Sequence, residues 1–147
     1  MTRTNDRKTW MSLLAKAPAD RLADLWAAQE IRADYQLLRA PEVGGTMVQG
    51  RMGGTGAAFN LGEMTVTRCS VRLDSGEVGH AYVQGRDKAK AETAAVVDAM
   101  MQTAAAAQLQ AQILTPLETE VAAAKATRAA KAAATKVDFF TMVRGDN

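Results

Sequence analysis

Glu63-Met64-Thr65-Val66-Thr67-Arg68-Cys69-Ser70-Val71-Arg72-Leu73 is followed by Asp74-Ser75-Gly76 and then by Glu77-Val78-Gly79-His80-Ala81-Tyr82-Val83-Gln84. Apolar and polar residues alternate on both sides of a glycine-bearing turn, the pattern of a β-hairpin with one buried face. A two-residue turn at Ser75-Gly76 sets Leu73 against Val78, Val71 against His80 and Cys69 against Tyr82. That register sorts the apolar side chains onto one face and leaves Arg68, Ser70 and Arg72 on the other. A slip of one residue reverses the sorting. A turn built on Asp74-Ser75-Gly76 is the alternative.

Upstream, Tyr35 to Ala40 and Thr46 to Met52 read as two more short strands. The expected fold is therefore α+β. It has two N-terminal helices, a four-stranded and largely antiparallel sheet, two C-terminal helices and a docking tail. In residues this is one domain over 1–147: helical over 3–30, β with a glycine-rich loop over 34–85, helical over 87–135, and a tail over 136–147.

The helices are legible by period and punctuation. Trp10, Leu13, Leu14 and Ala17 form the i, i+3, i+4, i+7 stripe of a first helix, with Asn5 as its expected N-cap. Pro18 opens a second, with Leu22, Leu25 and Trp26 as its stripe. Asp87 is the expected cap of a long helix from about Lys88 to Ala111, with Ala94, Val97, Met101 and Ala104 in line. Thr115-Pro116-Leu117-Glu118 reads as a capping box opening a last helix, alanine-rich and helical by propensity. Glu118 and Glu120 near its start, and Lys125, Arg128 and Lys131 further on, complement the helix dipole. With almost no large apolar stripe, this helix is expected to project or to lie on a partner. Phe139, Phe140 and Met142 make the tail apolar.

Composition narrows the function classes. The 147 residues carry a net charge of +2 and 5% aromatic residues, consistent with one domain whose alanine-heavy core is thin. That charge does not suggest a nucleic-acid protein. A single cysteine, Cys69, excludes an internal disulfide framework and fits a reducing compartment. No apolar run is long enough to span a bilayer, and the N-terminus is not a secretory signal, so a cytoplasmic location is expected.

The densest motif is Arg51-Met52-Gly53-Gly54-Thr55-Gly56-Ala57-Ala58-Phe59-Asn60-Leu61-Gly62-Glu63. Clustered glycines let a backbone or a ligand approach closely, and successive N–H groups can form an anion nest with Arg51 as counter-charge. The plainer reading is a turn between strands. Neither a Walker A loop nor a dinucleotide fingerprint is present. The candidate partner- or phosphate-facing residues are Arg51, Gly53, Gly54, Thr55, Gly56, Asn60, Glu63 and Arg68. Arg68, Arg72 and Arg86 form either a basic patch or a solvated sheet face. Lys125, Arg128 and Lys131 form a stripe on the last helix. Cys69 and His80 on a shared face are too few for zinc and lack the surroundings of a catalytic pair. No catalytic residue, metal site or cofactor is therefore assigned.

Arg51 to Cys69 resembles the signature stretch of the G subunit of bacterial carbon–phosphorus lyase, the PhnG family. So do residues 7–11, 38–44, 79–87 and 134–145, in the same order. The resemblance implies a non-catalytic subunit of a soluble core complex with H, I and J subunits. It implies that, with the H, I and L proteins, the subunit is needed to join an alkylphosphonate to the ribose triphosphate of ATP with loss of adenine. The nucleosidase chemistry is then expected in the I subunit. Carbon–phosphorus cleavage is expected in the J subunit with its iron–sulfur cluster. Two other classes remain open on the residues alone: a stand-alone phosphate-binding enzyme using the glycine loop, and a nucleic-acid-binding module using the basic stripe.

Overall fold

The computed structural model describes residues 4–51 and 58–145; of residues 4, 5, 48–51, 58–61 and 136–145 it describes the backbone alone. The chain forms α1 (Thr4–Lys16), α2 (Ala19–Ala27), β1 (Tyr35–Arg51), β2 (Ala58–Leu73), β3 (Val78–Gln84), α3 (Lys88–Met100), a short α4 (Ala106–Leu109), a π-helical turn (Gln110–Leu114) and α5 (Thr115–Gly145). The class is α+β, as expected. The sheet among the described residues, however, is three-stranded and antiparallel in the order β1-β2-β3, not four-stranded.

The miscount has a physical cause. Tyr35–Ala40 and Thr46–Met52 are not separate strands, because β1 runs through Pro41 without a turn. Pro41 lacks a backbone N–H, and edge strands and bulges tolerate that loss. Here β1 is an edge strand, and its register against β2 shifts between Leu37 and Arg39 and again between Arg39 and Glu42.

The hairpin register is also corrected by one residue. Arg72 pairs with Val78, Val71 with Gly79, Ser70 with His80, Cys69 with Ala81 and Arg68 with Tyr82. The turn is Asp74-Ser75-Gly76, closed by Leu73 N–H donating to Glu77 C=O at 2.8 Å and Gly76 N–H donating to Leu73 C=O at 2.8 Å. Gly76 sits at φ +109°, a conformation only glycine adopts without strain. The inner face now carries Thr67, Cys69, Val71, Leu73, Ala81 and Val83, all buried. His80 and Tyr82 move to the outer face with Arg68, Ser70 and Arg72. The small side chains of Gly79 and Ala81 on the inner face are what the two-residue turn failed to anticipate.

Their smallness lets a helix in close. A Cβ on Gly79 would collide with the Ala95 carbonyl and come within 2.7 Å of Ala99 N. Thus α3 packs almost on the sheet backbone, and its alanines suit that spacing. Residues 94–100 of α3 are all buried, enclosed by the sheet on one side and by α1 and α2 on the other. Asp87 caps α3 as expected, accepting from Lys90 N–H at 2.9 Å. Trp10, Leu14 and Ala17 of α1, Leu22 of α2, and Leu109, Ile113, Leu114 and Leu117 complete the core.

Four helix boundaries differ from expectation. Asn5 lies inside α1, and Pro18 precedes α2 as its cap residue rather than opening its first turn. The long helix from Lys88 stops at Met100, because Gln102 and Thr103 draw on the helix end. Thr103 Oγ1 donates to Met100 C=O at 2.6 Å, and Gln102 Nε2 donates to Asp98 C=O at 3.2 Å. Conversely, Thr115 does not cap a new helix. It is helical itself, and the chain runs on from α4 through the π turn into α5. Pro116 lacks the N–H an α-helix needs, and the wider π turn just before it absorbs the mismatch.

Candidate partner-binding surfaces

One anchor organises the rest. Asp98 on α3 is fully buried and accepts four hydrogen bonds: from Trp10 Nε1 at 2.7 Å, from Arg7 Nε at 3.2 Å and Nη2 at 2.9 Å, and from His80 N–H at 2.9 Å. Arg7 Nη2 and Gln102 Nε2 both donate to Val78 C=O. The open backbone groups at this end of β3 are therefore taken by side chains of α1, of α3 and of the segment just after it, which closes a strand edge that would otherwise invite pairing. A carboxylate in an apolar run, Val96-Val97-Asp98-Ala99-Met100, was the available signal for this anchor. It ties the segment around Arg7 to the segment around His80, two of the stretches that carry the family resemblance.

With α1 fixed beside β3, the outer face of the sheet meets α1 in an open groove of about 770 Å³. Arg7, Lys8, Met11, Ser12, Ala15, His80 and Tyr82 line it. Tyr82 is 60% exposed, and Ser70 Oγ lies 2.9 Å from His80 Nδ1 across the strands. Next to them on the same face, Arg68 Nη2 donates to Glu42 Oε1 at 3.2 Å, and Arg39 lies 3.6 Å from the same carboxylate. These pairs are exposed and contribute little to stability, about 0–1 kcal/mol.

Cys69 points the other way, into the core. Its thiol is pushed up to about 11 by burial and by the nearby Glu92 carboxylate, so it stays protonated and unreactive near neutral pH. Cys69 and His80 therefore occupy opposite faces of the sheet. Among the described residues no group of three His, Cys, Asp or Glu side chains is placed to hold a metal ion.

The glycine-rich segment joins the far ends of β1 and β2. Gly53, Gly54, Thr55 and Gly56 lie outside the described residues. Arg51 and Asn60 are described in backbone alone, Arg51 paired with Ala58 and Asn60 with Gln49. β3 pairs only with Val66–Arg72, so Ala58–Thr65 and their partners Gly45–Arg51 continue past the third strand as a two-stranded ribbon. Glu63 is on this ribbon, its carboxylate lying across Gly45, where any Cβ would collide with it. The structure thus puts Arg68 on the three-stranded part of the sheet, apart from the ribbon that bears Glu63, Arg51 and Asn60.

The last helix makes the second extension. Leu117 is buried, but every residue over 120–135 is exposed, the basic stripe Lys125, Arg128 and Lys131 included. At its root, Arg21 Nε donates to Glu120 Oε1 at 2.7 Å. No helix among the described residues is long and apolar enough to cross a membrane.

The fold is an α+β domain from which a two-stranded ribbon and an exposed last helix extend. The chain belongs to the family of the phosphonate metabolism protein PhnG, whose family model matches residues 5–145. It is 44% identical over 145 residues to the alpha-D-ribose 1-methylphosphonate 5-triphosphate synthase subunit PhnG of Rhizobium meliloti (strain 1021). That alignment covers 96% of this chain and 90% of the relative.

Proposed function

We propose that this protein is an accessory subunit of the assembly that transfers the ribose triphosphate of ATP to an alkylphosphonate with release of adenine, in phosphonate catabolism. The observation that carries this reading is the near full-length similarity to a synthase subunit. The geometry supports it. A two-stranded ribbon is marginal in water by itself, and a helix exposed over all of 120–135 draws no stability from the domain core, so both suit a neighbouring subunit. The partners implied are the H, I and J subunits, with dependence on the L protein, in the cytoplasm. The glycine-rich tip with Arg51, Gly53, Gly54, Thr55, Gly56 and Asn60 faces a neighbour in this reading, near its active site.

The test is reconstitution. The pure subunit is assayed with ATP and methylphosphonate, then again with the partner subunits added. No adenine release by the subunit alone, and release that depends on it in the mixture, is the expected pattern. Turnover by the isolated chain would overturn the accessory role. Arg51→Ala is expected to leave the thermal midpoint in place and to lower assembly or coupled turnover; wild-type values for both would reduce the tip to a turn.

A further inference from the structure

We infer that the groove between α1 and β3, with the outer sheet face beside it, docks an acidic segment of a partner subunit. This rests on the reading of the chain as a subunit. The groove has an apolar floor, formed by Met11, Ala15 and the exposed ring of Tyr82, and among the described residues no carboxylate lines it. Lys8 lines it, and arginines stand on the sheet face beside it. Lys8 and Arg72 have no ion-pair partner among the described residues, and Arg68 shares its single carboxylate, Glu42, with Arg39. The groove and the outer face beside it therefore carry Lys8, Arg39, Arg68 and Arg72 against Glu42 and, next to Arg72, Asp74, an excess of positive charge in a chain whose net charge is only +2. An apolar, aromatic centre with a charged rim is the anatomy of a protein interface.

The spacing argues for a polypeptide. Arg68 and Arg72 are four residues apart on one strand, about 13 Å at strand rise, and Lys8 is on a separate helix. One phosphate cannot reach them all, whereas an extended segment with two or more carboxylates can. A nucleic acid would call for a denser basic face and little apolar floor. The groove is also held rigid, since Asp98 fixes Arg7, Trp10 and His80 beneath it. A preformed site loses less on binding.

The experiment uses the full chain co-expressed with the H, I and J subunits. Tyr82→benzoylphenylalanine is irradiated in the assembled complex, and the cross-linked peptide is sequenced. Affinity is measured for wild type and for Lys8→Glu with Arg72→Glu, two exposed positions whose change leaves the fold in place by circular dichroism. The expected result is a cross-link to one partner segment containing Asp or Glu, and binding weakened at least about tenfold by the double reversal. A Lys substitution at the cross-linked acid is expected to restore part of that loss. Unchanged affinity, a cross-link to a segment without carboxylates, or labelled nucleic acid would overturn the inference while the subunit reading stands. Failure of the wild-type chain to assemble at all would overturn both.

Discussion

Trp10 Nε1 and the Asp98 carboxylate meet at 2.7 Å in the interior, joining α1 to α3 across 88 residues of sequence. The same carboxylate holds Arg7 and the backbone of His80, so one side chain secures the entry helix, the central helix and the edge strand together. Asp98→Ala is expected to destabilise the domain by about 2–4 kcal/mol, because it leaves the Trp10 and His80 N–H groups without their acceptor and breaks the part-exposed pair with Arg7. Urea unfolding followed by tryptophan fluorescence measures it. A loss under about 1 kcal/mol would mean that the network does not hold the helices.

Gly79 meets α3 backbone to backbone. Gly79→Ala adds a methyl into the Ala95 carbonyl and to within 2.8 Å of Ala99 Cβ, so α3 must shift. A cost of about 1–3 kcal/mol is expected from such overpacking. By contrast, Gly44→Ala, where a Cβ meets nothing within 4 Å, is expected to be nearly neutral. Comparable thermal midpoints for the two variants would refute the close packing.

The buried thiol makes stability fall in mild alkali. Cys69 is raised from 9.0 to about 11 in the fold, so between those values the unfolded chain loses a proton that the folded chain keeps. Stability is therefore full below pH 9 and declines as pH rises towards 11. Lys90, whose ammonium is depressed by burial as it donates to Ala15 C=O at 3.0 Å, acts with the opposite sign below 10.5. Cys69→Ala is expected to flatten the decline, at some cost in packing at every pH. An unfolding free energy whose slope over pH 9–11 is the same in wild type and variant would contradict this.

Truncation separates the root of α5 from its shaft. Ending the chain after Val121 keeps Leu114, Leu117 and the Arg21–Glu120 pair, and removes residues whose described part is exposed. The unfolding free energy is expected to change by no more than about 0.5 kcal/mol. Ending it before Thr115 removes Leu117 from the core and is expected to cost about 2–4 kcal/mol. Pull-down of the partner subunits is expected to weaken with both. If only the chain ended before Thr115 binds more weakly, the shaft is not a docking element.

Much of this protein was settled by its sequence. Alternation around Asp74-Ser75-Gly76 determined a one-sided hairpin, the Trp10-Leu14-Ala17 stripe a buried helical face, and Asp87 the start of α3. These are local effects of period and capping, which act through neighbours in the chain. The family was legible for the same reason, in ordered stretches from Arg7 to Gly145. What crossed the chain was left to the tertiary structure. Pro41 reads as a break, yet an unpaired edge lets β1 pass through it. Thr115-Pro116 reads as a helix start, yet burial of Ile113, Leu114 and Leu117 against the core holds one helix through it. The hairpin register turned on the room needed by α3, which Gly79 and Ala81 supply and which no spacing within the hairpin encodes. That single shift placed His80 and Tyr82 outside rather than in, and so created the groove beside Lys8. Contact with a distant helix decided it, because packing against α3 outweighs the preference for a shorter turn.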